Sequence, residues 1–248
     1  MSIHATAILE EGASLGAGCV IHAHAIIKRG TVLGDGVAVH PFAVVGGDPN
    51  FLKFDPATVS GVRIGAHTVI REHVTINRSI YAGKDTVVGS HCYLMANAHV
   101  GHDCMVGDEV VVLATNIMLG GHVDVGSFTF FGGGAGAHQF SRIGEGVMIA
   151  GLARITQDLA PFLLVAERNE VSGLNLVGLK RRGVGREAIA ELKDCYAAVF
   201  AGGDPRKLAA ALTAKTAEAR RFLEFFAGGK RGFARPDVRA SADEERAE

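Results

Sequence analysis

Aliphatic residues recur at every sixth position through most of the first 160 residues. From Ile3 the steps land on Leu9, Leu15, Ile21, Ile27, Leu33, Val39 and Val45 without a miss. The frame lapses over 46–63, resumes at Ile64, Ile70 and Ile76, lapses again, and returns at Val88, Leu94, Val100, Val106 and Val112. After one inserted residue it runs on through Leu119, Val125, Phe131, Ala137, Ile143, Ile149 and Ile155. A period of six is the pattern of a parallel β-helix, in which each hexad is a short flat strand with its aliphatic residue pointing into a prism. Three hexads make one coil, and coil stacks on coil at the interstrand spacing of roughly 4.8 Å. Gly often follows the aliphatic residue, as at Gly16, Gly34, Gly65, Gly89, Gly107, Gly120, Gly126 and Gly144. The corners bend sharply and favour residues with little or no side chain. The composition agrees: 33 of 248 residues are Gly, and 48% are hydrophobic although only 6% are aromatic and none is Trp.

The two lapses, at about 46–63 and 78–87, read as loops thrown out from corners of the coil, and loops on a rigid scaffold are where function concentrates. The β-helix is expected to occupy 1–160. From about 161 to 228 the periodicity becomes helical: Ile189, Leu192, Tyr196 and Phe200 share a face, Asp204 can cap a helix begun by Pro205, and Phe222, Phe225 and Phe226 precede Gly228. Residues 229–248, ending SADEERAE, read as a disordered tail. The formal charge of −1 gives no call for nucleic acid as a partner. Cys19, Cys92, Cys104 and Cys195 are too scattered for a metal knuckle or a disulfide framework, there is no signal segment, and no apolar run approaches a membrane span. A reducing cytoplasm is the expected location.

Eleven histidines are many for this length. His4, His22 and His40 follow repeat positions and read as corner or surface residues. The run Asn97-Ala98-His99-Val100-Gly101-His102-Asp103-Cys104 differs, with two imidazoles and a carboxylate within five residues. His102 holds the third place in the hexad of Val100, and Gly121 the third place three hexads later, so the two should be stacked neighbours. A backbone N–H at Gly121 is suited to stabilise an oxyanion while the imidazole takes a proton. His122 puts a third imidazole at the same level. Three histidines also permit a zinc site of the lyase or hydratase kind, and a plain polar ladder is the bland alternative. Cys104 occupies the small inward slot of its hexad and reads as structural.

The runs NAHVGHDC, LGGHV, GAHQF, QDLAP and GLNLVGLKRRG closely resemble the UDP-N-acetylglucosamine 3-O-acyltransferase family, the enzymes that open lipid A biosynthesis, and the likeness extends over nearly the whole chain. The resemblance implies a left-handed β-helix, mainly β with a C-terminal α-helical domain, a homotrimer with sites between subunits, and no cofactor or metal. It implies transfer of a 3-hydroxyacyl group from acyl carrier protein to the 3-hydroxyl of a UDP-sugar. His102 corresponds to the general base, Asp103 to its partner and Gly121 to the oxyanion amide. Lys53, His99, His122, His138 and Gln139 match substrate-contacting positions, and Asn175, Arg181 and Arg182 match the nucleotide end. Gly151 matches the position that limits acyl length, where a missing side chain leaves room for a longer chain. Three departures stand out: Phe51 replaces an acidic residue, Asn77 replaces a His, and the segment Ala166-Glu167-Arg168-Asn169 alters a Gln-Gly-Asn loop. Two of them, Phe51 and Asn77, fall near the acceptor sugar, which leaves open a different or 3-amino UDP-sugar.

Overall fold

The computed structural model describes residues 1–112 and 116–236. Most of its strands are only two residues long, as a six-residue period with four-residue corners requires. Among the described residues they fall into three sheets of ten, eight and seven strands, and apart from the last two strands of the ten-stranded sheet every third strand in the sequence is a neighbour. Pairing is parallel throughout the prism, for example Ile76↔Val100, Val100↔Leu119 and Leu119↔Ala137. The fold is the expected left-handed parallel β-helix with a small helical part at its C-terminal end.

The hexad residues line the axis: Ile27, Val45, Ile76, Leu119 and Ile149 are fully buried. Burying a side chain of this size stabilises the fold by about 1.5–3 kcal/mol, so the stack of hexads is the chief source of cohesion. Of the aromatic residues on the inward hexad positions only Phe131 appears, because the prism is filled from three sides by aliphatic groups.

The corners differ from expectation in one respect. Many left-handed positions belong to side-chain-bearing residues: His24, Phe42 and His73 in one column, Asp103, His122 and Phe140 in another, all with φ between 59° and 66°. Left-handed backbone costs a non-Gly residue about 1–2 kcal/mol. Stacking along each column offsets it, since Phe42 lies 5.2 Å from both His24 and His73 and His122 lies 4.5 Å from Phe140 with interplanar angles of 11° or less.

Three boundaries shift. Strands Val44–Gly47 and Gly61–Ile64 narrow the first loop to 48–60, and strands Thr75–Asn77 and Asp85–Val88 narrow the second to 78–84. Residues 161–174 are not helical: Leu163–Ala166 continues the ten-stranded sheet and Glu170–Leu174 returns antiparallel to it, closing the end of the prism. Helices follow as α1 (Leu176–Arg181), α2 (Arg186–Val199), α3 (Pro205–Ala210) and α4 (Ala217–Glu224). Asp204 caps α3 by accepting from the Arg206 N–H at 3.1 Å, behind Pro205 at its first position. Phe200, Phe222 and Phe226 pack edge to face at 5.3–6.3 Å, so the aromatic residues missing from the prism gather here. Residues 229–236, placed in the tail by composition, instead pack back: Phe233 bridges Asp158, Arg235 bridges Glu170, and Phe233 is buried. The rest of that tail, 237–248, and the extra residue after Val112, at 113–115, lie outside the described residues.

Candidate active site

The parallel register Val100↔Leu119 places His102 one coil from Gly121, and the His122 N–H donates to the His102 carbonyl at 2.9 Å. The two stacked positions require a glycine. A Cβ on Gly121 would meet the His102 ring at 2.5 Å, so the imidazole can lie over this backbone only because no side chain is there. The Gly121 N–H donates to no group among the described residues. It is therefore free to meet a developing negative charge.

His102 Nδ1 lies 2.8 Å from Asp103 Oδ2. That carboxylate also accepts from the Ile80 N–H at 3.1 Å and, through Oδ1, from the Ser79 hydroxyl, while the Asp103 N–H donates to Thr86 Oγ1 at 2.7 Å. A carboxylate collecting donors on both oxygens is an acceptor only, so the proton between it and the imidazole belongs to Nδ1. This leaves the lone pair on Nε2, the tautomer of a general base.

His102 and Gly121 line an open cleft of about 570 Å³ on the outer surface of the eight-stranded sheet. His99, His138 and Gln139, three of the substrate-contacting candidates, line it too. His99 Nδ1 is 2.8 Å from Thr75 Oγ1, and burial holds the His99 imidazole below its ordinary pKa, with the neighbouring His102 adding to the effect. His122 stands edge-on to His102 at 5.0 Å, and burial lowers its pKa as well. Both rings are thus biased toward the neutral form beside His102. Met118 and Gly136, which point outward from adjacent strands, give the cleft an apolar floor.

Loop 48–60 forms the rim. Asn50 lines the cleft, the Phe51 ring is 6.3 Å from that of His102, and Lys53 is exposed in the same loop. Asn77 also lines the cleft; its Nδ2 donates to the Asp48 carbonyl at 2.8 Å, and its buried Oδ1 has no partner among the described residues.

The nucleotide-end candidates lie elsewhere in the chain. Asn175, Arg181 and Arg182 line a second cleft of about 500 Å³, with Phe128, Phe130 and Met148, which shares no lining residue with the first. Asn175 caps α1 by accepting from the Gly178 N–H at 2.9 Å. Arg182 pairs with Glu145 and lies 4.0 Å over the Phe128 ring, whereas Arg181 is exposed. Gly151 is exposed at a corner, where a Cβ would come within 3.2 Å of the Gly133 carbonyl and of little else.

His102, Asp103 and His122 offer possible ligand atoms within 4.8 Å of one another. Cys104 is no nucleophile at neutral pH: burial pushes its thiol up to about 12, and its Sγ donates to the Gly120 carbonyl at 3.1 Å. Sequence reasoning missed Ser79, Thr75, Asn50 and Arg154, the last of which also lines the first cleft. Ser79 carries no repeat signal, because it sits in an ejected loop. Thr75 and Arg154 are outward positions of hexads, readable only once the stacking of coils is known.

Residues 158–234 match a family model described as the second domain of UDP N-acetylglucosamine O-acyltransferase, and residues 85–115 match the bacterial transferase hexapeptide repeat. The acyl-[acyl-carrier-protein]–UDP-N-acetylglucosamine O-acyltransferase of Campylobacter concisus is 35% identical over 219 residues, covering 88% of this chain and 83% of the relative. That of Burkholderia lata is 34% identical over 77% of this chain and 76% of its own. Among solved structures, the Moraxella catarrhalis UDP-N-acetylglucosamine O-acyltransferase superposes with a TM-score of 0.87 at 31% identity, covering 95% of this chain and 100% of that one. The corresponding Campylobacter jejuni enzyme gives a TM-score of 0.83 at 32% identity over 95% and 100%.

Proposed function

The chain belongs to the acyl-[acyl-carrier-protein]–UDP-N-acetylglucosamine O-acyltransferases and is an acyltransferase, and from that premise we propose that it moves a 3-hydroxyacyl group from acyl carrier protein to the 3-hydroxyl of UDP-N-acetylglucosamine, the first step of lipid A biosynthesis. The observation that carries the reading is the His102–Asp103 pair, with its free Nε2, set over the open N–H of Gly121.

His102 Nε2 takes the proton of the sugar hydroxyl as its oxygen attacks the thioester carbon. The carbonyl oxygen gains negative charge beside the Gly121 N–H. When the tetrahedral adduct collapses, the C–S bond breaks and the imidazolium returns its proton to the departing thiolate of the carrier. The charge on the imidazolium is balanced by Asp103, and no covalent acyl-enzyme is formed. The apolar strip at Met118 and Gly136 suits the acyl chain. His99, His122, His138, Gln139 and Lys53 surround the sugar and the acyl group. Asn175, Arg181 and Arg182 take the nucleotide end, where a guanidinium fork suits a diphosphate. The separation of the two clefts on one chain supports a complete site built between subunits of a homotrimer. No cofactor takes part, and no helix of the described residues is long and apolar enough to cross a membrane.

A second reading, a 3-amino UDP-sugar as acceptor, draws on Asn77, which lines the cleft and whose buried Oδ1 has no partner among the described residues, since such an oxygen accepts from an amino group as readily as from a hydroxyl. The test is a mass-spectrometric endpoint assay with 3-hydroxyacyl carrier proteins of several lengths and UDP-N-acetylglucosamine or its 3-amino analogue, with and without a chelator. O-acylated product, indifferent to chelator and reduced about 10²–10⁴-fold by His102→Ala, is expected. Product only from the amino sugar would move the assignment to that acceptor, and loss of turnover with chelator would revive a metal at His102, Asp103 and His122.

A further inference from the structure

Asp103 can orient His102 only if its own carboxylate is held, and its backbone alone does not ensure this. Asp103 sits on a turn at a left-handed corner, with φ of 59°. The groups that fix its carboxylate come from the second ejected loop, which is far from it in sequence. Ser79 is fully buried, and its hydroxyl donates to Asp103 Oδ1. The direction of that donation is determined by the surroundings: Ser79 Oγ accepts from the Tyr81 N–H at 2.9 Å, and its other possible acceptor, the Tyr81 carbonyl, is at 3.4 Å. The Ser79 backbone is tied in turn to the first loop, because its carbonyl accepts from the Ser60 hydroxyl at 2.6 Å.

We propose that Ser79 is a positioning residue for the acyl transfer, the third member of a Ser79–Asp103–His102 chain that fixes the base for its proton transfer. The assignment rests on the reading of His102 as general base. Ser79 exchanges no proton during turnover. Its O–H satisfies the oxygen of Asp103 that faces away from the imidazole, so that Oδ2 stays turned toward Nδ1 and the Nε2 lone pair stays turned into the cleft. Without the hydroxyl, Oδ1 is left with an empty acceptor position in a buried setting, which favours rotation of the carboxylate and loosens the imidazole.

The test is kinetic, on the full-length protein with acyl carrier protein and sugar nucleotide, with melting curves for every variant. Ser79→Ala is expected to lower kcat by roughly 10- to 100-fold while KM for the sugar nucleotide stays within about twofold. In an Asp103→Ala background the same change is expected to cost less than about threefold, because the two side chains act as one unit. Wild-type kcat in Ser79→Ala, or losses that multiply in the double variant, would overturn the proposal. Should Ser79→Ala be unfolded at the assay temperature, Ser79→Cys, which keeps the group but weakens the donor, is read by the same two criteria. His102→Ala runs in parallel. Turnover retained there refutes the general-base reading itself, whereas an inactive His102→Ala beside an unaffected Ser79→Ala refutes the role of Ser79 alone.

Discussion

A methyl group is enough to test the catalytic geometry at Gly121. The missing Cβ would overlap the His102 ring at 2.5 Å, well inside van der Waals contact, and the ring is already tied to Asp103 at 2.8 Å. Gly121→Ala must therefore push the imidazole off the carboxylate or move the backbone whose N–H meets the oxyanion in the proposed mechanism. Either displacement damages the transition state more than substrate binding. We expect kcat to fall by about 10²–10³-fold with little change in melting temperature, since the corner lies outside the packed prism. A variant with more than about a tenth of wild-type kcat would show that neither the ring nor the amide is used as described.

At the scale of the element, a buried cation makes several of the contacts that hold loop 48–60. Arg78 pairs with Asp48 at 2.9 Å, donates to the carbonyls of Pro56 and Thr58, and lies 4.8 Å over the Phe54 ring. Its neighbours Asn77 and Ser79 hold the start of that loop and the Asp103 carboxylate, so four consecutive residues from 77 to 80 brace the first loop and Asp103 at once. Arg78→Ala should release the rim that carries Asn50, Phe51 and Lys53, raising KM for the sugar nucleotide about tenfold or more with a smaller effect on kcat. Steady-state kinetics on the folded variant decide this, and an unchanged KM would mean that the rim does not contact the acceptor. The corner at Gly151 gives a second test of an element. Only the Gly133 carbonyl approaches the site of a new Cβ, so Gly151→Met should fold. If the acyl chain runs between neighbouring coils there, product analysis with mixed carrier proteins will shift to shorter chains, and an unchanged profile would place the chain elsewhere.

For the molecule as a whole, what could be read from the chain was what repeats. The hexad fixes which residues enter the prism, and three hexads per coil bring His102 over Gly121 from sequence distance alone. Ser79, Arg78 and Asn50 escaped because ejected loops follow no period, and their contacts exist only after the coils have stacked. The hairpin Leu163–Ala166 and Glu170–Leu174 escaped for a related reason: it ends the stack instead of extending it. The same modularity has a consequence for assembly. One chain holds His102 in a cleft of about 570 Å³ and Arg181 in a separate cleft of about 500 Å³, so the proposed function has a nucleotide sugar that uses both bound by two copies. His102→Ala and Arg181→Glu, each inactive alone, should then complement when co-expressed. In randomly assorted trimers about a quarter of the interfaces pair an intact His102 from one subunit with an intact Arg181 from the next. Activity near that fraction of wild type is expected from the mixture, with light scattering to establish the trimer. A mixture as inactive as its components, in trimers proven to be mixed, would mean that both residues serve a site within one chain, and that the nucleotide binds along a path other than the one proposed.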